Sequence, residues 1–462
     1  MYRLLTFAMV PALVFLIAGS ASAATQAKLS DQSVRQLVGV GVGPGNYAVV
    51  SWVAAPNGVG TGPGGALKRG PSRVMVAVRS KNAKRFGVPR RLSPFDAEVA
   101  SLSVAETGET MAVWSNRDGA ILARYRRTNG NWSRVMKIAG RGATASPDIP
   151  KLDIADDGTA IVGWRNGRKR QKGAQMMAMF RPGRGFQDPK QVGPRVNPNI
   201  EAPGGQGVFF AVSARSGGRG TVVWTSSCGW DTKSFRSGWS VRTSMRWGAT
   251  RPAKIPNSKC PHNQVSLSEN EHGKAVLAIN GYLESSVVRV AVRPPGEARF
   301  RRAIQITSKR TQSSFADVKA HADGSVTLVA PVFRRNRHIG LIGLDFVRPT
   351  VGLITKEWNR IAPPTSAGHS VGANSRGDVA VLSQNVETRM WDFTAKKFDG
   401  SFSASAQLPF RNFLGRPLMR IDPAAIDVGP TGRILAVTAR ARWNSAGTSG
   451  ERGIYIFEDL AG

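Results

Sequence analysis

The stretch Val104-Ala105-Glu106-Thr107-Gly108-Glu109-Thr110-Met111-Ala112-Val113-Trp114 decides the architecture. A short apolar strand runs into a polar turn closed by glycine, and a second apolar strand ends in tryptophan. Glycine suits the turn because a tight hairpin needs a positive φ, which a Cβ disfavours. The same arrangement returns at Ile154-Ala155-Asp156-Asp157-Gly158, running to Gly163-Trp164, and at Val212 to Gly218, running to Val223-Trp224. In all three the tryptophan lies six residues after the glycine.

Weaker copies have their turns at Gly273, Gly324, Gly377 and Gly432, and a first copy at Gly45 is followed by Tyr47–Trp52. The eight turns stand 50 to 63 residues apart. After each hairpin comes a third apolar run, as at Val74–Val78, Ile121–Tyr125, Met176–Phe180, Val287–Val292 and Ile339–Phe346. A fourth run follows, marked by an aromatic: Trp132, Phe186, Trp247, Phe300, Trp358 or Phe402. Four strands per unit of this length is the period of a propeller blade. The expected fold is therefore all-β: a single β-propeller of four-stranded antiparallel blades, eight in number, with seven as the alternative because the first unit is long and irregular. The last unit offers Ala425–Val428, Ile434–Thr438 and Ile454–Phe457 and lacks a fourth strand. Gln26–Ser33 is expected to supply it, closing the ring and protecting an edge. Trp52, Trp114, Trp164 and Trp224 are expected to pack between blades.

These repeats resemble those of secreted bacterial β-propeller proteins, the broad sialidase-like and WD40-like group. The resemblance implies the fold and leaves function open, since propellers host binding, hydrolysis, lyase and scaffold roles. The sialidase Asp-box, Ser-x-Asp-x-Gly-x-Thr-Trp, is not matched. Asp157-Gly158-Thr159 is a fragment of it, and Trp164 lies too far on.

The 462 residues divide into a leader and one large domain. Residues 1–23 read as a secretory signal peptide: Arg3, then the apolar Leu4–Ala18, then the small-residue site Ala21-Ser22-Ala23. The apolar run is shorter than the ~20 residues that span a bilayer. The propeller is assigned to 24–462, exported to the periplasm or the medium and monomeric. Cys228 and Cys260 fall in loops on one face of the ring and can form a disulfide in an oxidising compartment.

Lys and Arg number 64 against 30 Asp and Glu, a formal charge of +34. Such a field attracts polyanions, and it also fits the composition of a GC-rich genome. The second-to-third-strand loops and the blade-to-blade loops share one face. They gather Lys68 and Arg69; Arg165, Arg168, Lys169, Arg170 and Lys172; Lys233 and Arg236; Arg334, Arg335 and Arg337; and Arg440 and Arg442. Trp230, Trp239 and Trp443 are assigned to the same loops, where an indole can stack on sugars or bases. The candidate ligand set is Arg165, Arg168, Lys169, Arg170, Lys172, Arg334, Arg335, Arg337, Trp230 and Trp239. The expected partner is an anionic polymer or a protein. The alternative is a glycan-acting enzyme, a sialidase-like hydrolase or a lyase, with its site at the channel mouth.

Other motifs fail on context. Gly60–Gly65 matches G-x-G-x-x-G without a following helix, and Gly368–Gly372 matches G-x-S-x-G inside a strand. His262, His272, His321, His338 and His369 have no zinc spacing, so neither metal nor cofactor is expected. The loop 54–73, rich in Gly and Pro, is the longest insertion and a candidate lid.

Overall fold

The computed structural model describes residues 25–30, 34–54, 72–94, 96–143, 149–166, 174–192, 209–225, 237–243, 246–247, 264–280, 288–297, 300–307, 312–313, 316–334, 337–348, 359–362, 366–385, 391–397, 399–401, 403, 406–408, 424–443 and 449–458. They form eight antiparallel sheets, seven built from consecutive strands and one from the first strand with the last three. The inner strands of blades one to eight are Val34–Val42, Ala97–Val104, Lys151–Ile154, Phe209–Arg215, Gln264–Glu269, Asp317–Ala320, Ser366–Ala373 and Ala424–Val428. Neighbouring blades touch in sequence order, and blade eight returns to blade one. The described residues form a closed eight-bladed β-propeller.

Closure is made by the N-terminal strand Thr25–Ser30, which pairs antiparallel with Ser449–Glu458. The last blade thus takes its outer strand from the chain's beginning, as the missing fourth run of the last unit requires. A buried Arg79–Glu458 ion pair bolts blade one to blade eight, and Arg433 adds a second contact to the same carboxylate.

Period-two alternation lets each sheet bury both faces against its neighbours. Trp52, Trp114 and Trp164 are buried. Each packs with apolar residues of the preceding blade: Trp52 with Leu435 and Val437, Trp114 with Val53 and Val74, Trp164 with Ile121 and Ile138. The side chain of Trp224 lies outside the described residues.

All eight turn glycines have positive φ, from 63° at Gly45 to 103° at Gly377. The turn closes through bonds such as Gly108 N–H to the Ala105 carbonyl, 2.8 Å. Fourth strands are short, only two residues at Arg90–Arg91, Gly185–Phe186 and Ile304–Gln305. Trp132 and Phe300 stand just before their fourth strands rather than in them. Blade six has its inner strand interrupted: Gln312–Ser313 and Asp317–Ala320 both pair with Val326–Arg334. Among the described residues no helix is long and apolar enough to cross a membrane.

Candidate functional site

The inner strand of a blade has one edge without a ladder partner, so its N–H groups face the central channel. The sequence answers this at one position. Five residues before each turn glycine of blades two to eight stand Ser103, Asp153, Ser213, Ser268, Lys319, Gly372 and Asp427, and Gly41 occupies the corresponding register in blade one. Ser103 donates its hydroxyl to Asp153 of the next blade at 3.4 Å, and four others accept the N–H of the next blade's inner strand. Asp427 Oδ2 accepts from Val42 at 2.9 Å, Asp153 Oδ2 from Ala214 at 2.8 Å, Ser213 Oγ from Glu269 at 2.9 Å and Ser268 Oγ from Ala320 at 3.0 Å. Side chains of one blade thus satisfy the exposed edge of the next. At Gly372 a Cβ would come within 2.6 Å of the Asp427 backbone, so the ring is drawn too tight there for any side chain.

Lys319 is the exception, a donor where its neighbours are acceptors. Its ammonium makes no hydrogen bond among the described residues. It acts electrostatically on Asp153 of blade three and Asp427 of blade eight. Burial raises both carboxyls. Asp427 is pushed up to about 7, against the pull of Val42 N–H and Lys319. Asp153 is also raised, with the N–H of Ala214, Lys319 and the Ser213 hydroxyl opposing.

The turns form the channel mouth at the hairpin end, and hydrogen bonds tie them together. Thr107 Oγ1 donates to the Asp156 carbonyl at 2.8 Å, and Gly217 N–H to Asp157 at 2.7 Å. Ser216 N–H donates to Glu271 at 3.0 Å, and Ala322 N–H to the Ser375 carbonyl at 2.8 Å. Glu106 of blade two accepts from both the N–H and the hydroxyl of Ser375 in blade seven. Burial raises the Asp156 carboxyl, and the charges of Glu106 and Glu271 raise it further. The turns of the hairpin end are thus latched to one another, with Glu106, Asp156 and Glu271 standing among basic residues such as Arg215, Lys274 and Arg376.

Basic residues stand at the opposite end as well. Among the described residues, Arg73, Arg91, Arg117, Lys151 and Arg165 stand there, at strand ends or turns of blades one to three. Arg165 lies in the strand Ala160–Asn166, opposite Gln175. Arg334 and Arg337 pair across the second and third strands of blade six, at the same end of the ring. Their side chains, with Arg168, Lys169, Arg170, Lys172, Arg335 and Trp230, lie outside the described residues. So do Lys68, Arg69, the 55–71 part of the candidate lid, Cys228, Cys260 and residues 1–23.

Two expectations are corrected. Trp239 sits in the strand Ser237–Thr243, opposite Val223, and not in a loop. Trp443, with Arg440 and Arg442, ends the long strand Ile434–Trp443. In both cases the strand continues further than the apolar pattern signals, because the ladder extends through polar residues. Among the described residues no three His, Cys, Asp or Glu side chains are grouped to hold a metal ion.

No family model matches the chain, and no curated protein matches it. Several solved structures are similar to it in fold. The BP39L lectin from Burkholderia pseudomallei is 12% identical over 84% of this chain and 99% of its own, with a TM-score of 0.46. The propeller domain of the Trilobed protease from Pyrococcus furiosus is 11% identical over 82% of this chain and 100% of its own, at 0.45. An ulvan lyase is 9% identical over 94% of this chain and 96% of its own, at 0.44.

Proposed function

We propose that this propeller is an exported, non-catalytic binding protein that takes an anionic partner on the end opposite its hairpins. The partner class is an acidic polysaccharide, a cell-surface polymer or a nucleic acid. The observation that carries the reading is the gathering of Arg73, Arg91, Arg117, Lys151 and Arg165 at strand ends and turns on one end of blades one to three. Loops there hold phosphates, sulfates or carboxylates through charge-assisted hydrogen bonds.

The test is a salt titration of residues 24–462 on a sulfated glycan and on duplex DNA, beside a basic control protein of similar charge density. Binding that outlasts the control's at about 0.15 M salt supports an organised site. Loss at the same salt as the control removes the reading. Arg165→Glu together with Lys151→Glu should weaken binding and flatten its salt dependence.

A further inference from the structure

Several third strands end, at the hairpin side, in a cation bonded within the seam to the preceding blade: Arg79 in blade one, Arg126 in blade two, Arg293 in blade five and Lys396 in blade seven. Two of these seams set two guanidiniums on one buried carboxylate. Between blades eight and one, Arg79 and Arg433 share Glu458. Asn46 completes that set. Its carbonyl accepts from Arg79 Nε at 2.6 Å, and its side-chain oxygen accepts from Arg433 Nη1. Neither arginine there has a buried nitrogen without a partner.

Between blades four and five the set is incomplete. Glu269 accepts from Arg293 Nη2 at 2.6 Å and stands 3.3 Å from Arg215 Nη1, through the same oxygen, Oε1. Its other oxygen takes the Thr221 hydroxyl at 2.7 Å. The two guanidiniums thus lie side by side, and both oxygens of the carboxylate between them are engaged. The Arg293 side chain is 3% exposed, and its Nη1 has no hydrogen-bond partner. Among the described residues none does here what Asn46 does at the closure seam. Arg215 runs over Gly273, where a Cβ would collide with its Nη1, and its side chain is 14% exposed. The other acid near the cluster is Glu271, exposed on the turn, where it takes the Ser216 N–H. An orphaned N–H on a buried cation calls for an acceptor.

We infer that Arg215 and Arg293 hold a single oxyanion, a phosphate, sulfate or carboxylate group that enters from the hairpin surface beside Gly273. One of its oxygens accepts from Arg293 Nη1 and another from the Arg215 guanidinium, as the two oxygens of Asn46 do between Arg79 and Arg433. A guanidinium favours such an oxygen pair. The buried layer of the cluster counts two cations against one anion, so a further negative charge is compensated there. Glu271 opposes a second one, so a lone anionic group fits and a run of them does not. The site lies at the hairpin end and stands apart from the reading above; either can fail without the other.

The experiment is an NMR titration of the isotope-labelled 24–462 chain with sodium sulfate and sodium phosphate, against sodium chloride at equal ionic strength. Concentrations run to about 50 mM, since a lone ion binds weakly. The amide shifts of Ser216, Gly217 and Gly273 should saturate with sulfate or phosphate and not with chloride. Glucose 6-sulfate separates the sources. Saturation by it as well assigns a group carried on a larger molecule, and saturation by the inorganic ions alone assigns a free ion. Arg215→Met keeps the stem over Gly273 and removes the donors, and it should weaken binding at least about tenfold. Arg165→Glu with Lys151→Glu, at the opposite end, should leave this binding at the parent value. If Arg215→Met does not fold, the parent titration against chloride carries the test. No saturation, equal shifts with chloride, parent-level binding in Arg215→Met, or loss in the opposite-end variant would each overturn the inference.

Discussion

Glu106 and Ser375 lie 269 positions apart in the sequence and join two blades across one mouth of the channel, with the Ser375 hydroxyl 2.6 Å from the Glu106 carboxylate. The second Glu106 oxygen takes the Ser375 N–H. Removing this carboxylate leaves both donors without their acceptor. A charged acceptor of this kind contributes about 1.5–3 kcal/mol per bond at most, less where water can replace it. Glu106→Ala should cost about 1–2 kcal/mol in urea unfolding. Amide exchange at Ser375 should accelerate, with little change at the Gly324 turn. Unchanged exchange at Ser375 would show that the latch is not formed in solution.

The Asp427 carboxyl, raised by burial to about 7, makes stability depend on pH in a definite direction. An aspartate in the unfolded chain titrates near 4, so between these values the folded state holds a proton that the unfolded state has released. Stability from this group is greatest below pH 4 and declines as the pH rises through 7. Asp427→Asn keeps an acceptor for Val42 N–H and removes the ionisation. It should leave stability at pH 4 nearly unchanged and raise it at pH 8 by about 2 kcal/mol, a value reduced for solvent in the lumen. Chemical unfolding of parent and variant at the two pH values decides. A variant equally or less stable at pH 8 would contradict the burial of this charge.

His321 pulls the other way. Burial lowers its pKa, while the Asn374 carbonyl opposes. In the unfolded chain the imidazole takes a proton near pH 6.5, and the folded state resists it. Its contribution is therefore present above pH 6.5 and is lost as the pH falls below that value. In the Asp427→Asn background this loss should stand out as a decline in melting temperature between pH 6.5 and 5. His321→Gln should flatten that decline at the expense of stability at pH 7.5. A decline of the same slope in both chains would assign it to other groups.

The architecture was legible in the sequence because its cause is local. A turn that requires positive φ selects glycine, and Gly108 and Gly158 each stand six residues before a tryptophan that packs on the previous blade. The polar ring was written at an equally fixed offset, in Ser103, Asp153, Ser213 and Ser268, but short polar residues near a turn read as turn formers. Lys319, Asp153 and Asp427 come together only through closure of the ring. They are 166 and 108 positions apart along the chain, and no spacing signals their approach. The two-residue fourth strands have no period to detect, and Trp239 was misplaced because serine and arginine alternate with the apolar residues around it.

Closure itself yields a last prediction. The strand Thr25–Ser30 covers the outer edge of residues 454–458, and that strand also delivers Glu458 to the buried Arg79. Removing residues 24–31 uncovers this edge, a template for pairing with another chain. It also loosens the strand that holds the only carboxylate bonded to Arg79 among the described residues. Glu458→Ala tests the second effect alone: an uncompensated buried guanidinium costs about 3–5 kcal/mol. The truncated chain should lose at least as much and self-associate at micromolar concentration, seen by light scattering, whereas Glu458→Ala should be destabilised yet monomeric. The ordering separates two roles of one strand. If the truncated chain stays monomeric with the stability of the parent, the ring does not depend on its N-terminal strand.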